Sequence, residues 1–325
     1  MDPNRKISVI IVGKNEEQRI RACIESVLPG LQRTPSWEIL YVDNGSNDRT
    51  IEVVKGFQVQ IFERKEDKSK APYAAAYALG VDKSKGELLQ FLDADCILDA
   101  NWIDQACALL SDDPRIGVIG GYVEEASPHE TLLGRMYANH CRSISLPGDK
   151  LRIDGPAFMV RRSCLSQAGP PDCNIGIGGA MELDLSTRIR MAGYRLIRVP
   201  QPMAIHRGPR KIKLIILFRN IRNGYRFERT LKKLRRMYPK DPYLKRLVFS
   251  ELLPVIALIT WLPIVAVLGV AGFMGLLFIS LVFILAFGIR RKMKSDVVAL
   301  ALLQQLLHSI GYLGGIVRRA FKASG

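Results

Sequence analysis

Over the first 95 residues, short apolar runs alternate with longer stretches in which apolar residues recur at helical spacing. Ile7 to Val12, Glu38 to Val42, Val59 to Phe62 and Glu87 to Leu92 are β-rich runs bounded by polar or turn residues, which predicts four strands. Between them the pattern predicts a helix ending near Leu28, one from about Thr50 capped by Asn47 or Asp48, and one over roughly Pro72 to Asp82. Strand and helix alternating in this way predict an α/β domain with a mostly parallel, Rossmann-like sheet. Polar residues gather at the C-terminal ends of the predicted strands, as Lys14-Asn15-Glu16, Asp43-Asn44-Gly45-Ser46 and Asp93-Ala94-Asp95. In open α/β sheets that edge is where ligands bind.

The pattern changes after about Val248. From there to Ile289 the chain is almost continuously apolar, which is enough for two membrane spans of roughly 20 residues each with a turn near Gly269 to Gly272. Val297 to Val317 is apolar too, but carries Gln304, Gln305 and His308, and Arg318-Arg319 follow it. It is expected to be a third transmembrane helix or one lying in the interface.

Charge sharpens this division. The net charge is +16, and between Arg207 and Arg246 the only acids are Glu228 and Asp241. Next to an apolar hairpin, such a block is expected to meet anionic lipid head groups, so nucleic acid is not the expected partner. Basic residues on both sides of the hairpin place its ends, and with them the N-terminal domain, in the cytoplasm. The apolar stretch Ile7 to Val12 is too short for the core of a secretory signal. The six cysteines form no CxxC pair, so free thiols in a reducing compartment are expected and a zinc site is not.

Asp93 and Asp95 sit one residue apart just past a predicted buried strand. Through Mg²⁺ or Mn²⁺ such a pair can hold a diphosphate that the bare carboxylates would repel; the bland alternative is a pair of turn or cap residues. Asp43 can accept a hydrogen bond from a base edge, or can simply satisfy the amides of its own turn. Asp99 is expected to cap a helix that begins near Trp102.

Ser8-Val9-Ile10-Ile11 through Asn15-Glu16, Asp43 to Thr50, and Gly86-Glu87 with Phe91 to Asp95 resemble, in order and spacing, the family 2 inverting glycosyltransferases of the membrane-associated bacterial or archaeal type. The resemblance continues through Gly155 to Arg162, Glu182 to Tyr194 and Pro200 to His206, and covers about the first 210 residues. It implies a GT-A fold for residues 1–210, followed by a basic juxtamembrane segment (211–247), two transmembrane helices (248–289) and the third apolar helix (297–318). It places Asn15 and Glu16 beside the nucleoside and Asp43 on the base. Asp93 and Asp95 would flank the diphosphate and its divalent metal, with His206 close by. Arg207, Arg210 and Lys211 would assist with phosphate.

An inverting transfer needs a general base. Alignment with the family's helix puts Met181 at the usual Glu and Glu182 at the basic Asp, so Glu182 is the candidate base and Asp184 the runner-up. A first-turn acid favoured by the helix dipole is the bland reading of Glu182. Gly176 to Gly179 would form a loop able to close over the sugar. Two departures stand out: Val12-Gly13-Lys14 replaces an aromatic-bearing segment, and Tyr77-Ala78 stands where an Arg-Asn pair is common. The resemblance implies transfer from a UDP- or GDP-sugar to a membrane-associated acceptor such as a polyprenyl-linked glycan, at the inner membrane. The alternative is a catalytically silent nucleotide-binding scaffold.

Overall fold

A computed structural model describes residues 6–65, 71–126, 147–150, 152, 155–175, 180–207 and 227–248. The chain divides into one compact unit of residues 1–127 and 144–209 and another of residues 128–143 and 210–325. In the second, residues 227–237 and 242–248 are helical, and Asp241 Oδ1 accepts the Tyr243 amide at the start of the latter helix. Among the described residues no helix is long and apolar enough to cross a membrane. Apart from Val248, the apolar segments 248–289 and 297–318 lie outside those residues, as does residue range 211–226 of the basic segment.

The first unit starts as the sequence predicts. Strands β1 (Lys6–Gly13), β2 (Ser36–Asp43), β3 (Gln60–Glu63) and β4 (Leu88–Asp93) are joined by helices α1 (Ile20–Gln32), α2 (Thr50–Lys55) and α3 (Pro72–Lys83). They pair in parallel in the order β3-β2-β1-β4. Neither residue proposed as the cap of α2 takes that position, which is held by Arg49; Asp48 lies one residue ahead, where its Oδ1 accepts the Thr50 amide at 3.0 Å. α3 opens on Pro72, whose fixed φ suits a first turn.

Beyond β4 the expectation of a mostly parallel sheet needs correcting. The later elements are β5 (Cys96–Leu98), α4 (Trp102–Asp112), β6 (Ile116–Glu125), β7 (Gly148–Lys150), β8 (Ala157–Arg161), α5 (Arg162–Ala168), α6 (Ala180–Met191) and β9 (Arg195–His206). β8 runs antiparallel to β4 and to β6, and β5 and β7 run antiparallel to β9; only β6 and β9 pair in parallel. The full order is β3-β2-β1-β4-β8-β6-β9-β5, with β7 also on β9. The physical reason is connectivity: β4 meets β8, a strand more than 60 residues later, instead of the next strand across a helical crossover. Asp99 also differs from expectation, lying ahead of α4 and holding the Asn101 amide in a turn at 2.9 Å.

Both faces of the sheet are buried, which explains why β1 reads as an unbroken apolar run. Val9 and Ile11 face a cluster with Ile24, Tyr41 and Trp102, while Ile10 and Val12 face another with Tyr77, Phe91, Phe158, Leu185 and Leu196. Helices α1 and α4 cover the first face, and α3, α5 and α6 the second. The site therefore rests on strands that packing holds from both sides.

Candidate active site

Two loops at the C-terminal edge of β1 and β2 are stitched together by short polar side chains. Asn15 adopts a left-handed backbone (φ 59°), a conformation that Asn tolerates better than most residues. Its amide donates to Ser46 Oγ at 2.9 Å, and its Oδ1 accepts the Asn47 amide at 2.9 Å. The Glu16 amide donates to Thr50 Oγ1 at 2.8 Å. Asp43 shapes the same turn: Oδ2 accepts the amides of Gly45 and Ser46 at 3.0 and 2.8 Å, and Oδ1 accepts Ser46 Oγ at 2.5 Å. The Asp43 residue is only 3 % exposed, so its visible work is to build the loop. Gly13 is required by close approach, since a Cβ there would lie 2.6 Å from Ala94 Cβ. The β1 loop thus passes directly against the Asp93-Ala94-Asp95 segment, where Lys14 is exposed.

Asp93 closes β4, and its amide donates to the Pro156 carbonyl at 2.8 Å. The Tyr77 hydroxyl donates to Asp93 Oδ1 at 2.5 Å. The Tyr77 ring packs edge-on against Phe91, with centroids 4.9 Å apart. Burial, reinforced by the neighbouring charge of Asp95, pushes the Asp93 carboxyl up to about 7 even though the Tyr77 bond opposes the shift. Tyr73, one helical turn earlier, is 48 % exposed. Burial and the charges of Asp93, Asp95 and Glu16 push its phenol up to about 12.

Sheet pairing then delivers His206. β5 pairs Cys96 with His206, and the Arg207 amide donates to the Asp95 carbonyl at 2.8 Å. On the other side of β9, Glu125 is the register partner of His206. The imidazole is held between two carboxylates: Nε2 lies 3.3 Å from Asp95 Oδ2, and Nδ1 lies 2.8 Å from Glu125 Oε1. Burial alone would lower the His206 pKa, but hydrogen bonds to and charges on Asp95 and Glu125 outweigh it and raise it to about 10. Arg19 completes the cluster. It donates to Glu16 Oε2 at 2.6 Å and to the Arg207 carbonyl at 2.9 Å, and its Nη1 lies 4.0 Å from Asp95 Oδ2. Burial raises the Glu16 pKa, and Arg19 opposes that rise.

The structure therefore brings Glu16, Asp93, Asp95 and His206 to one end of the sheet, with Asn15 and Asp43 in the adjoining loops. For a metal, Asp95 and His206 are the pair in direct contact. Among the described residues, no group of three His, Cys, Asp or Glu side chains is placed to hold an ion by itself. An oxygen and a nitrogen donor side by side suit a first-row cation such as Mn²⁺ that takes its remaining ligands from phosphate and water, better than Mg²⁺ with its preference for oxygen alone.

The two candidate bases separate clearly. Glu182 lies in the first turn of α6, partly exposed, and its charge acts on Asp93. Asp184 is 2 % exposed and binds Arg188, with Oδ2 2.8 Å from Nε and 2.6 Å from Nη2. Arg188 also reaches the carbonyls of Ala168, Gly169 and Pro170, so Asp184 locks α6 to the end of α5. Met181 packs against the second apolar cluster. Gly176 to Gly179, Arg210 and Lys211 lie outside the described residues.

Sequence reasoning missed Glu125, Arg19 and the use made of Tyr77. Arg19 carried a signal, its i,i+3 spacing from Glu16. Glu125 carried none, because only the pairing of β6 with β9 brings it to His206.

Residues 8–165 match the family described as glycosyl transferase family 2. Over 198 residues the chain is 28 % identical to glycosyltransferase AglE of Haloferax volcanii, covering 58 % of this chain and 63 % of AglE. It is 25 % identical over 222 residues to the probable glycosyltransferase YdaM of Bacillus subtilis, covering 64 % of this chain and 52 % of that protein. The chain thus spans between half and two thirds of the length of these curated relatives. Among solved structures, the mannosyltransferase PcManGT from Pyrobaculum calidifontis, in complex with GDP-Man and Mn²⁺, shares the fold: TM-score 0.67 at 19 % identity, over 96 % of this chain and 88 % of that one. With the motifs in family order and the acidic cluster at the strand ends, residues 8–165 are similar to a glycosyl transferase family 2 domain.

Proposed function

We propose that this enzyme transfers a sugar, with inversion, from a UDP- or GDP-sugar to a membrane-associated acceptor such as a polyprenyl-linked glycan. The observation that carries the donor half is the contact of Asp95 with His206, oriented from behind by Glu125 and set beside buried Asp93. A divalent cation, Mg²⁺ or Mn²⁺, held by Asp95 and His206 would neutralise the leaving diphosphate. The protein's own contribution is placement. Glu125 holds His206 Nδ1 and aims Nε2 at Asp95, a second contact of the kind that orients metal-binding imidazoles. Asn15, Glu16 and the loop built by Asp43 line the nucleoside side. Glu182, in the first turn of α6, takes the proton of the acceptor hydroxyl as that oxygen attacks the anomeric carbon. Asp184, bound to Arg188, positions the helix that carries Glu182.

The acceptor half rests on sequence. The basic segment and the apolar runs after Val248 suit a catalytic domain on the cytoplasmic side of the inner membrane. Transfer assayed in membranes with a panel of nucleotide sugars tests the whole reading. Product should form from one UDP- or GDP-sugar in the presence of Mn²⁺ and vanish for Asp95→Ala at equal protein level; undiminished transfer by that variant would refute the metal assignment.

A silent scaffold is the second reading, favoured by Met181 in place of the family's acid. One relative, 23 % identical over 220 residues, is named as an inactive polypeptide N-acetylgalactosaminyltransferase-like protein of Macaca fascicularis. Metal-dependent nucleotide binding without transfer from any donor in the panel would favour it.

A further inference from the structure

On the sheet face that carries α6, the middle of β9 opens into a narrow cleft with about 10 Å³ of enclosed space. Its floor is apolar, formed by Val118, Phe158 and Leu196, which belong to the same cluster as Leu185 and Ile189 of α6. Its remaining chemistry is cationic: Lys150, Arg152 and Arg198 all line it. Arg198 is 7 % exposed and donates to the Gly121 carbonyl at 3.2 Å.

The strand register shows how a guanidinium finds room inside a sheet. The partner of Arg198 on β6 is Gly120, and its partner on β7 is Gly148. Directly opposed side chains normally fill the space beside a strand residue, and glycine on both sides removes them. A Cβ added at Gly120 would meet nothing within 4 Å, so the space over that strand is open. The cleft also adjoins the reaction edge. Ala157, which lines it, pairs with Leu92 of β4, and Pro156 accepts the amide of Asp93.

We propose that this cleft is a subsite for a phosphoryl or diphosphoryl group on the acceptor, held by Lys150, Arg152 and Arg198. The inference deepens the transferase reading and rests on it. The enclosed space, about 10 Å³, is far below the roughly 300 Å³ of pockets for whole small-molecule ligands, so it excludes a nucleotide sugar and leaves the three cations to hold a single anionic group at the mouth. Arginine and lysine on one side of such a group supply the charge-assisted bonds that phosphate oxygens accept. The apolar floor accommodates the hydrocarbon next to a phosphate ester.

The test uses the full-length chain and the double variant Lys150→Gln/Arg152→Gln, which spares buried Arg198. Binding of inorganic phosphate, of a short-chain prenyl phosphate and of the matching prenyl alcohol is titrated on each, with nucleoside diphosphate plus Mn²⁺ measured in parallel. Both phosphates should bind the wild type saturably, and the variant should weaken them by roughly tenfold or more while nucleotide binding stays within about twofold. Tighter binding of the prenyl phosphate than of inorganic phosphate identifies a lipid acceptor as the source; equal binding supports the same site for a water-soluble phosphate. No saturable phosphate binding, equal affinity of variant and wild type, or equal binding of the alcohol would overturn the subsite. Loss of nucleotide binding by the wild type would instead sink the transferase reading, so the two failures are distinguishable.

Discussion

The half of the sheet built from β1 to β4 and the half built from β5 to β9 contribute to the site in different ways. The first half folds locally: each strand feeds a helix and the next parallel strand, and Asn15, Glu16, Asp43 and Asp93 sit where those strands end. The second half works at a distance. His206 reaches Asp95 only because β5 pairs with β9, and Glu125 reaches His206 only because β6 does. The donor motifs alone therefore hold half a site. Long-range pairing supplies the imidazole through antiparallel β5 and β9 and its orienting carboxylate through parallel β6 and β9.

Breaking the second half should abolish chemistry without loosening the first. Glu182→Gln is expected to lower kcat by roughly 10²- to 10⁴-fold, the usual contribution of a general base, with KM for the donor little changed. Asp184→Asn should behave differently. It breaks a buried ion pair, so a loss of about 3–5 kcal/mol in urea unfolding is expected. A stably folded but inactive Asp184→Asn variant beside an active Glu182→Gln enzyme would reverse the roles assigned to them.

The next effect down concerns orientation. Glu125→Gln removes the charge behind His206, and the affinity for Mn²⁺ in the presence of nucleotide should fall about 10- to 100-fold by titration. Tyr77→Phe removes only the hydroxyl that Asp93 accepts. A charge-assisted hydrogen bond of about 1.5–3 kcal/mol predicts roughly a tenfold or greater loss in kcat/KM, with the apolar packing on Phe91 retained.

At the far end of the strands, Glu38 provides the control. Burial pushes its carboxyl up, but hydrogen bonds from Ser8 Oγ, the Lys85 amide and Gln60 outweigh it and hold the folded-state value below 4.5. A depressed carboxylate stabilises the fold above its ordinary value and loses that contribution as the pH falls through the lowered one. Glu38→Gln should therefore cost about 1–2 kcal/mol near neutral pH, converge with wild type below pH 4.5, and leave kcat unchanged.

The same contrast marks how much was legible beforehand. The first four strands and three helices could be read because period-2 and helical patterns are local, and turn residues such as Asp48 act on their near neighbours. Asp93, Asp95 and His206 were legible as a motif set. The antiparallel half was not, since nothing in β6 or β8 announces a partner more than 30 residues away. Tyr77 looked like a loss when set against an Arg-Asn pair. In the fold its hydroxyl donates to Asp93. Asp43, expected on the base, also accepts the Gly45 and Ser46 amides and so builds the loop beside it.

The central claim, a metal-assisted donor site assembled from both halves, is tested most directly by titrating UDP and GDP into the full-length chain with and without Mn²⁺. One of the two should bind in a Mn²⁺-dependent way, and Asp95→Ala and His206→Ala should each remove that dependence while the melting temperature holds. Mn²⁺-independent binding by the wild type, or unaltered Mn²⁺ dependence in both variants, would contradict it.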